Sequence, residues 1–396
     1  MGNAAAAVSP PVFHGRLAVL QRVLPGYRAP FFEALAAACE QGLSIFAGQS
    51  LPGEAITSVD RLEHAQVFWG RNWHLGRVES PFYLCWQGGI LKWLESWQPD
   101  ALVVEANPRY LSTPLAVGWM RRRGCPVLGW GLGVGSAATR PGWLEAFRRW
   151  RRRRFLEQFD ALIAYSRRGA QQYAAMGFPE QRIFVALNAV AGRPATPPAR
   201  PPTFAGRPAV LFVGRLQARK RIDLLLRACA ALPEAMQPRL WIVGDGPDRR
   251  RLRELAEQLY PSAEFPGELR GADLQPYFVQ ADLFVLPGTG GLAVQQAMAY
   301  GLPVIVAEGD GTQEDLVRPE NGWRIPSGDL PALTAVLQQA LTDPLRLRRM
   351  GVASYRIAAD EANIEVMASV FVRALNQLMP AAPSDQQSTN RTGLPR

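Results

Sequence analysis

The chain has 396 residues, 48% hydrophobic and 20% charged, a globular composition too long for one ordinary core and suited to two domains. Its 44 Lys and Arg against 34 Asp and Glu leave a net +10, which fits an anionic partner such as a phosphorylated substrate, an acidic membrane surface or nucleic acid. Four scattered cysteines without a Cys-x-x-Cys pair and three histidines without ligand spacing argue against a disulfide scaffold and a zinc site, and no apolar run approaches the ~20 residues of a membrane span.

The opening MGNAAAAVSPPVFHGR lacks the basic-then-apolar order of a secretory signal, and Ala6 stands where a myristoylation pattern wants Ser or Thr. The expectation is a cytoplasmic protein. RLAVLQRVL then predicts a first strand, and PFFEALAAACEQG a helix ending at Gly42. LSIFAG, ALVVEA, CPVLGWG and ALIAYS read as further buried strands, with helical stretches such as YLSTPLAVGWMRRRG between several of them. Repeated strand–helix units of this size predict a parallel sheet with helices on both faces, that is, an α/β domain.

The Pro-rich stretch VAGRPATPPARPPTFAGRP continues neither helix nor central strand and reads as a linker. After it the alternation restarts: AVLFVG, RIDLLLRACAAL, RLWIVG, DRRRLRELAEQL, DLFVLP, AVQQAMAYG and PVIVA. The expected division is a Rossmann-like domain over 1–190, a linker over 191–207 and a second Rossmann-like domain over 208–357. A C-terminal helix over 358–380 is expected to return to the first domain, followed by a disordered polar tail over 381–396.

Four features of the second domain can carry chemistry. FVGRLQARKR runs from a strand into a turn at Gly214, with Arg215 and Lys220 placed to clamp a diphosphate. In WIVGDGPDRRRL, Gly244 and Gly246 allow close approach to a ligand, and Asp248 opens a helix. In GTGGLAVQQAMAYG, Gly290, Gly291 and Leu292 offer backbone amides at a helix start, an anion site without the Lys-Ser/Thr of a Walker loop. LPVIVAEGDGTQEDLV adds a Gly-rich loop at the sheet's carboxyl edge. Each alone is also good scaffold; their order within one domain is the informative signal.

That order resembles the family-4 glycosyltransferases, which share the two-domain architecture called GT-B. The resemblance is specific from about Phe212 to Asp329, through FVGRL…K, GDGP, ADLFVLPG, GL…AMAYGLPVI and NGWRIPSGD. It extends more loosely over LPGYRAPFFEALA, DALIAYS and IFVALNAV in the first domain. It implies transfer of a sugar from a nucleotide diphosphate-sugar to a glycan or lipid-linked acceptor, with retention, without a metal or other cofactor, in envelope polysaccharide or glycolipid assembly. The donor would lie mainly on the second domain, the acceptor on the first, with Arg215 and Lys220 stabilising the leaving diphosphate. Where the family has two Glu residues separated by seven, this chain has Gly288 and Gln296. The resemblance implies that Gln296 meets the nucleotide ribose and that contacts from the first Glu to the sugar are lost. Leu132 stands where many relatives have a His.

Other residues keep two readings. Gly26 suits a turn toward the interdomain cleft, where Arg28 can meet donor phosphate or an anionic acceptor, or Arg28 can be structural. Asn188, read as ending the last strand of the first domain, lines the cleft near the hinge as the resemblance implies, and Glu105, at a strand's carboxyl edge, can touch an acceptor hydroxyl or cap the next segment. The run Arg148, Arg149, Arg151, Arg152, Arg153 and Arg154 is either a solvated helix face or a contact for an anionic membrane on the inner face of the plasma membrane. A catalytically silent nucleotide-binding or scaffold protein is the alternative to an enzyme. A nicotinamide enzyme lacks its Gly-x-Gly-x-x-Gly, and nucleic acid binding rests on charge alone.

Overall fold

The computed structural model describes residues 10–51, 54, 56–78, 80, 82–134, 142–197 and 199–379; the expected tail over 381–396 lies outside them. β1 (Leu17–Leu20) leads through a short turn into α1 (Ala29–Ala37) and β2 (Leu43–Gly48). β3 (Ala65–Leu75), β4 (Leu84–Gly88) and α2 (Ile90–Trp97) follow. Next come β5 (Ala101–Glu105), α3 (Thr113–Arg121), β6 (Val127–Gly131) and α4 (Gly142–Leu156). β7 (Ala161–Ala164), α5 (Arg167–Ala175) and β8 (Ile183–Val185) complete a sheet of order β4-β3-β2-β1-β5-β6-β7-β8.

The second domain contains β9 (Ala209–Val213), α6 (Ile222–Ala230), β10 (Arg239–Val243) and α7 (Arg249–Leu259). β11 (Glu264–Gly267), α8 (Gly271–Gln280), β12 (Leu283–Leu286) and α9 (Leu292–Ala299) follow. β13 (Val304–Ala307), α10 (Thr312–Leu316), β14 (Gly322–Ile325) and α11 (Leu330–Thr342) close the sheet β11-β10-β9-β12-β13-β14. Every strand pair is parallel except β3–β4. Both sheets reverse their order beside their first strand, and such switch points open ligand crevices at the strands' carboxyl ends.

Several boundaries differ from the sequence expectation. The first strand stops at Leu20, and the first helix ends at Ala37, where the chain turns so that Cys39 bridges to Phe13. The expected cut at 357/358 falls inside α12 (Pro344–Asp360), because a helix continues through it. The return to the first domain is made by α13 (Ile364–Leu378), capped by Asn363, whose side chain accepts from Val366 N. Phe371 on α13 packs edge-on against Phe31 and Trp130, 5.0 Å from each, so this helix fills the first domain's core.

The Pro-rich linker is fastened to the second domain. Arg200 donates to the carbonyls of Phe278, Ala281 and Tyr300, and the Tyr355 hydroxyl donates to those of Pro194 and Ala195. At the base of the cleft, Arg167 at the start of α5 binds Asp315 of α10 through both backbone N–H (2.7 Å) and guanidinium (3.1 Å). No helix among the described residues is long and apolar enough to cross a membrane.

Candidate active site

The loops after β9, β10 and β12 meet above the second sheet's switch point. Gly214 and Gly244 both adopt positive φ, and a Cβ on Gly244 would lie 2.0 Å from the Gly214 carbonyl oxygen. A Cβ on Gly246 would likewise lie 2.3 Å from the Leu216 carbonyl oxygen. These glycines are thus explained by two loops touching each other, whatever ligand they later meet.

Lys220 swings under the start of α9 and donates to the Thr289 carbonyl at 2.6 Å. A Cβ on Gly290 would stand 2.3 Å from its Nζ, so glycine there makes room for the ammonium. Burial lowers the Lys220 pKa to about 8, with the neighbouring Arg219 charge adding to the shift. Arg215 is engaged elsewhere: its Nη1 donates at 2.5 Å to the Glu54 carbonyl, across the cleft on the first domain. The two cations expected to form one clamp therefore have separate partners in this state. Arg219 lines the cleft with Gly290 and Gly291 and donates to Thr289 Oγ1 at 3.1 Å.

Gly288, where the resemblance has a Glu, is closely packed. A Cβ there would lie 2.2 Å from the Arg219 carbonyl oxygen and 2.6 Å from Lys220 Cα, so the 219–220 backbone occupies the space. This loop is packed against the segment that carries Lys220. Gln296 is partly buried on α9, and among the described residues its side chain makes no hydrogen bond and lines neither of the two cavities below.

On the first domain, Gly26 N donates to the Thr57 carbonyl at 2.8 Å, fixing the turn that delivers Arg28. The Arg28 guanidinium lies 4.9 Å from the Trp130 ring and 5.5 Å from that of Tyr165, in cation–π range of both. It is only 7% exposed, and its Nη1 has no hydrogen-bond partner among the described residues. Asn188 stands three residues beyond the end of β8, so it does not end that strand, and its Oδ1 is likewise buried without a partner among the described residues. Arg28, Asn188, Arg219, Gly290, Gly291 and Leu292 all line one cavity of about 400 Å³ between the domains. Buried polar atoms are rarely left unpaired, which marks this as a place built for a polar occupant.

A second cavity of about 580 Å³ adjoins it, with Leu132, Tyr165 and Asp310 shared between the two. Glu105 and Arg109–Tyr110 form one wall, and Arg152, Phe155 and Leu156 of α4 another. Burial pushes the Glu105 carboxyl above its ordinary range, while Arg22 N donates to it at 3.4 Å. Nearby, Arg22 and Glu54 form a buried ion pair that ties the loop contacted by Arg215 to the end of β1. The arginine run is not one uniform face. Arg152 faces this cavity, Arg149 donates to the Ala175 carbonyl at 3.0 Å, and Arg153 and Arg154 pair with Glu157.

Gln295 was not legible as a functional residue. It is fully buried on α9, and its Oε1 accepts from Val190 N (3.2 Å) and Ala191 N (3.0 Å). Its Nε2 donates to the carbonyls of Ala191 (3.4 Å) and Ala362 (2.9 Å). One amide thus holds both places where the chain passes between domains. Its only sequence signal was a polar residue at a helix position whose neighbours, Val294, Ala297 and Met298, are core.

Two Rossmann-like domains facing each other across such a cleft define the GT-B class of folds. A profile described as a glycosyl transferase 4-like domain matches residues 21–189, and one described as glycosyl transferases group 1 matches 207–343. A GDP-mannose-dependent alpha-mannosyltransferase of Mycolicibacterium smegmatis is 40% identical over 156 residues, 38% of this chain and 38% of that protein. The lipopolysaccharide core biosynthesis glycosyltransferase LpsE of Rhizobium meliloti is 25% identical over 312 residues, 73% of this chain and 90% of that protein. The matched region thus spans well under two thirds of the first relative and most of the second.

Among solved structures, sucrose-phosphate synthase from Thermosynechococcus elongatus aligns with TM-score 0.67 and 20% identity, covering 92% of this chain and 98% of that one. Anabaena HepE in complex with UDP aligns with TM-score 0.68 and 16% identity, covering 91% and 99%. These two likenesses concern the fold. The chain belongs to the family-4 glycosyltransferases.

Proposed function

We propose that the protein transfers a hexose from a nucleotide diphosphate-sugar to a glycan or lipid-linked acceptor, with retention, in cell-envelope polysaccharide or glycolipid assembly on the cytoplasmic side of a membrane. The observation that carries this reading is the cavity lined both by Arg28, whose Nη1 is buried without a hydrogen-bond partner among the described residues, and by Gly290–Leu292 at the start of α9. The donor diphosphate lies there, at the start of α9, where N–H groups and the helix dipole favour negative charge. Lys220 lies beside it, desolvated and therefore poised to gain from a new anionic neighbour.

Charge grows on the diphosphate as the sugar leaves, so fixed donors and cations help the transition state more than the bound donor. Lys220 is free to turn from the Thr289 carbonyl to a phosphoryl oxygen, and Arg215 can release Glu54 to join it when the domains move. The reading includes no metal, because these groups are assigned the leaving-group charge. The acceptor enters the larger cavity between Glu105 and α4, and Leu132 at its junction with the donor cavity contacts the sugar through apolar surface. The exposed arginines of α4 rest on anionic lipid.

The test is release of nucleotide diphosphate from a panel that includes GDP-mannose and UDP-hexoses, alongside ligand-induced thermal shifts. One donor is expected both to stabilise the protein and to turn over, slowly by hydrolysis without acceptor. Stabilisation by a nucleotide with no turnover on any donor or acceptor extract would assign the chain to the silent, binding alternative.

A further inference from the structure

We infer that two exposed aromatic surfaces on either side of the larger cavity dock the first domain on an anionic lipid bilayer; this rests on the reading of that cavity as the acceptor site. The first surface is a hairpin that the sequence pattern did not disclose. β3 pairs with β2 only through Gly70, and its continuation, Arg71–Leu75, pairs with β4 beyond the sheet's carboxyl edge. Alternation then sorts the side chains. One face carries His74 and Cys85 inward, with His74 Nδ1 2.7 Å from the hydroxyl of buried Tyr83. The other presents Trp73 directly opposite Trp86, exposed to 46% and 43%, with Leu75 at 67% beside them.

This face continues across the chain that walls the cavity. Cys85 bridges to Tyr110, so Leu111, 46% exposed, lies next to Trp86 on the outer side, while Tyr110 lines the cavity. Phe82, 85% exposed, stands at the hairpin's end. A contiguous apolar surface of this kind marks an interaction site and not ordinary solvent-facing surface.

The second surface is on α4, which forms the opposite wall. Helical spacing puts Arg148, Arg152 and Phe155 on the cavity side and Phe147, Trp150, Arg151 and Arg154 on the outer side. Phe147 and Trp150 are 52% and 57% exposed and stack at 5.9 Å, a pairing that shields neither from solvent. Aromatic rings interleaved with arginines match an acidic headgroup layer: the rings enter the interfacial zone, and the guanidinium groups meet phosphate. Arg71 over Trp73 at 5.3 Å repeats that pairing on the hairpin. A protein partner would need acidic surface on both sides of a cavity mouth, whereas a bilayer meets both at once and brings a lipid-linked acceptor between them.

Vesicle flotation of the full-length protein tests this, with phosphatidylcholine vesicles with and without phosphatidylglycerol. Wild type is expected to bind the anionic vesicles at low salt and to keep a bound fraction at about 1 M salt, where charge alone is screened within ~3 Å. Trp73→Ser with Trp86→Ser should lose the salt-resistant fraction while keeping low-salt binding. Trp150→Ser should reduce it too, and Arg151→Gln with Arg154→Gln should lose the preference for anionic lipid. All variants should keep the wild-type melting temperature and donor-induced thermal shift, which isolates a failure here from failure of the donor site. Salt-resistant binding unchanged in the hairpin variant overturns the inference. So does a wild-type dimer in sedimentation that the hairpin variant abolishes without any vesicle binding, since the face then joins two copies.

Discussion

Gln295→Leu is the sharpest perturbation of how the two domains are joined. Leucine keeps most of the side-chain volume in a fully buried position and removes every polar atom. Ala191 O would remain paired, since it also accepts from Ile364 N at 3.1 Å. Val190 N, Ala191 N and Ala362 O would lose the Gln295 bond. Each buried group left unpaired costs about 1–3 kcal/mol, so three give an upper bound of about 3–9 kcal/mol if the crossover stays dry. Val190 and Ala191 are only partly buried, so water reaches them, and an overall loss of about 2–3 kcal/mol is the expected scale. Because α9 also begins the donor site, looser crossovers should raise the donor KM more than they lower kcat. The assays are denaturant unfolding, followed by probes in each domain because a single transition cannot be assumed, and steady-state kinetics. Gln295→Glu sharpens the test: it keeps both acceptor interactions but faces carboxylate toward the Ala191 and Ala362 carbonyls, and should be worse than leucine above its pKa. A leucine variant with wild-type stability and donor KM would refute the role given to this amide.

Donor affinity should depend on pH through Lys220. Its pKa of about 8 in the free protein must rise when a diphosphate arrives, so binding takes up a proton above pH 8 and weakens there, by about tenfold between pH 7 and 9. Calorimetry on Lys220→Arg, always charged, should show that dependence gone; an unchanged profile would place the titrating group elsewhere. Arg28→Met should leave the ligand-free melting point unchanged or raise it, because an unpaired buried guanidinium is removed, while shrinking the donor-induced shift. A lower melting point with an intact shift would make Arg28 structural. Gly288→Ala should displace the 219–220 backbone and weaken donor binding by about 10- to 100-fold, the value of one charge-assisted contact, as read by thermal shift. Undiminished binding would show that this loop and Lys220 move independently.

The alternation of short apolar runs with amphipathic stretches made the two α/β domains legible, because parallel strands buried on both faces leave continuous Val, Ile and Leu runs. β3 was not legible for the same reason in reverse. Its burial alternates only where it leaves the sheet, and GRNWHL carries no run of aliphatic residues. The α12 boundary was hidden because Pro344 starts that helix and nothing in YRIAAD stops it before Glu361. Local pattern reports how a segment is buried, and these two segments are buried by contacts distant in sequence.

The site was legible to the extent that its demands fall on single residues. Gly244, Gly246 and Gly290 sit where backbone or ammonium contacts are closer than a Cβ permits, and Gly214 where φ is positive, and such places favour glycine. The roles of Arg215, Arg219 and Lys220 could not be divided by spacing, since each is decided by a partner outside the motif: the Glu54 carbonyl on the other domain, the Thr289 hydroxyl and the Thr289 carbonyl. Gly288 shows the stronger consequence. Read against a motif it was a missing carboxylate; read against its neighbours it is the space in which Arg219 and Lys220 pack. A side chain added at Gly288 would compete with the backbone that places the lysine, so this loop and the placement of Lys220 are coupled.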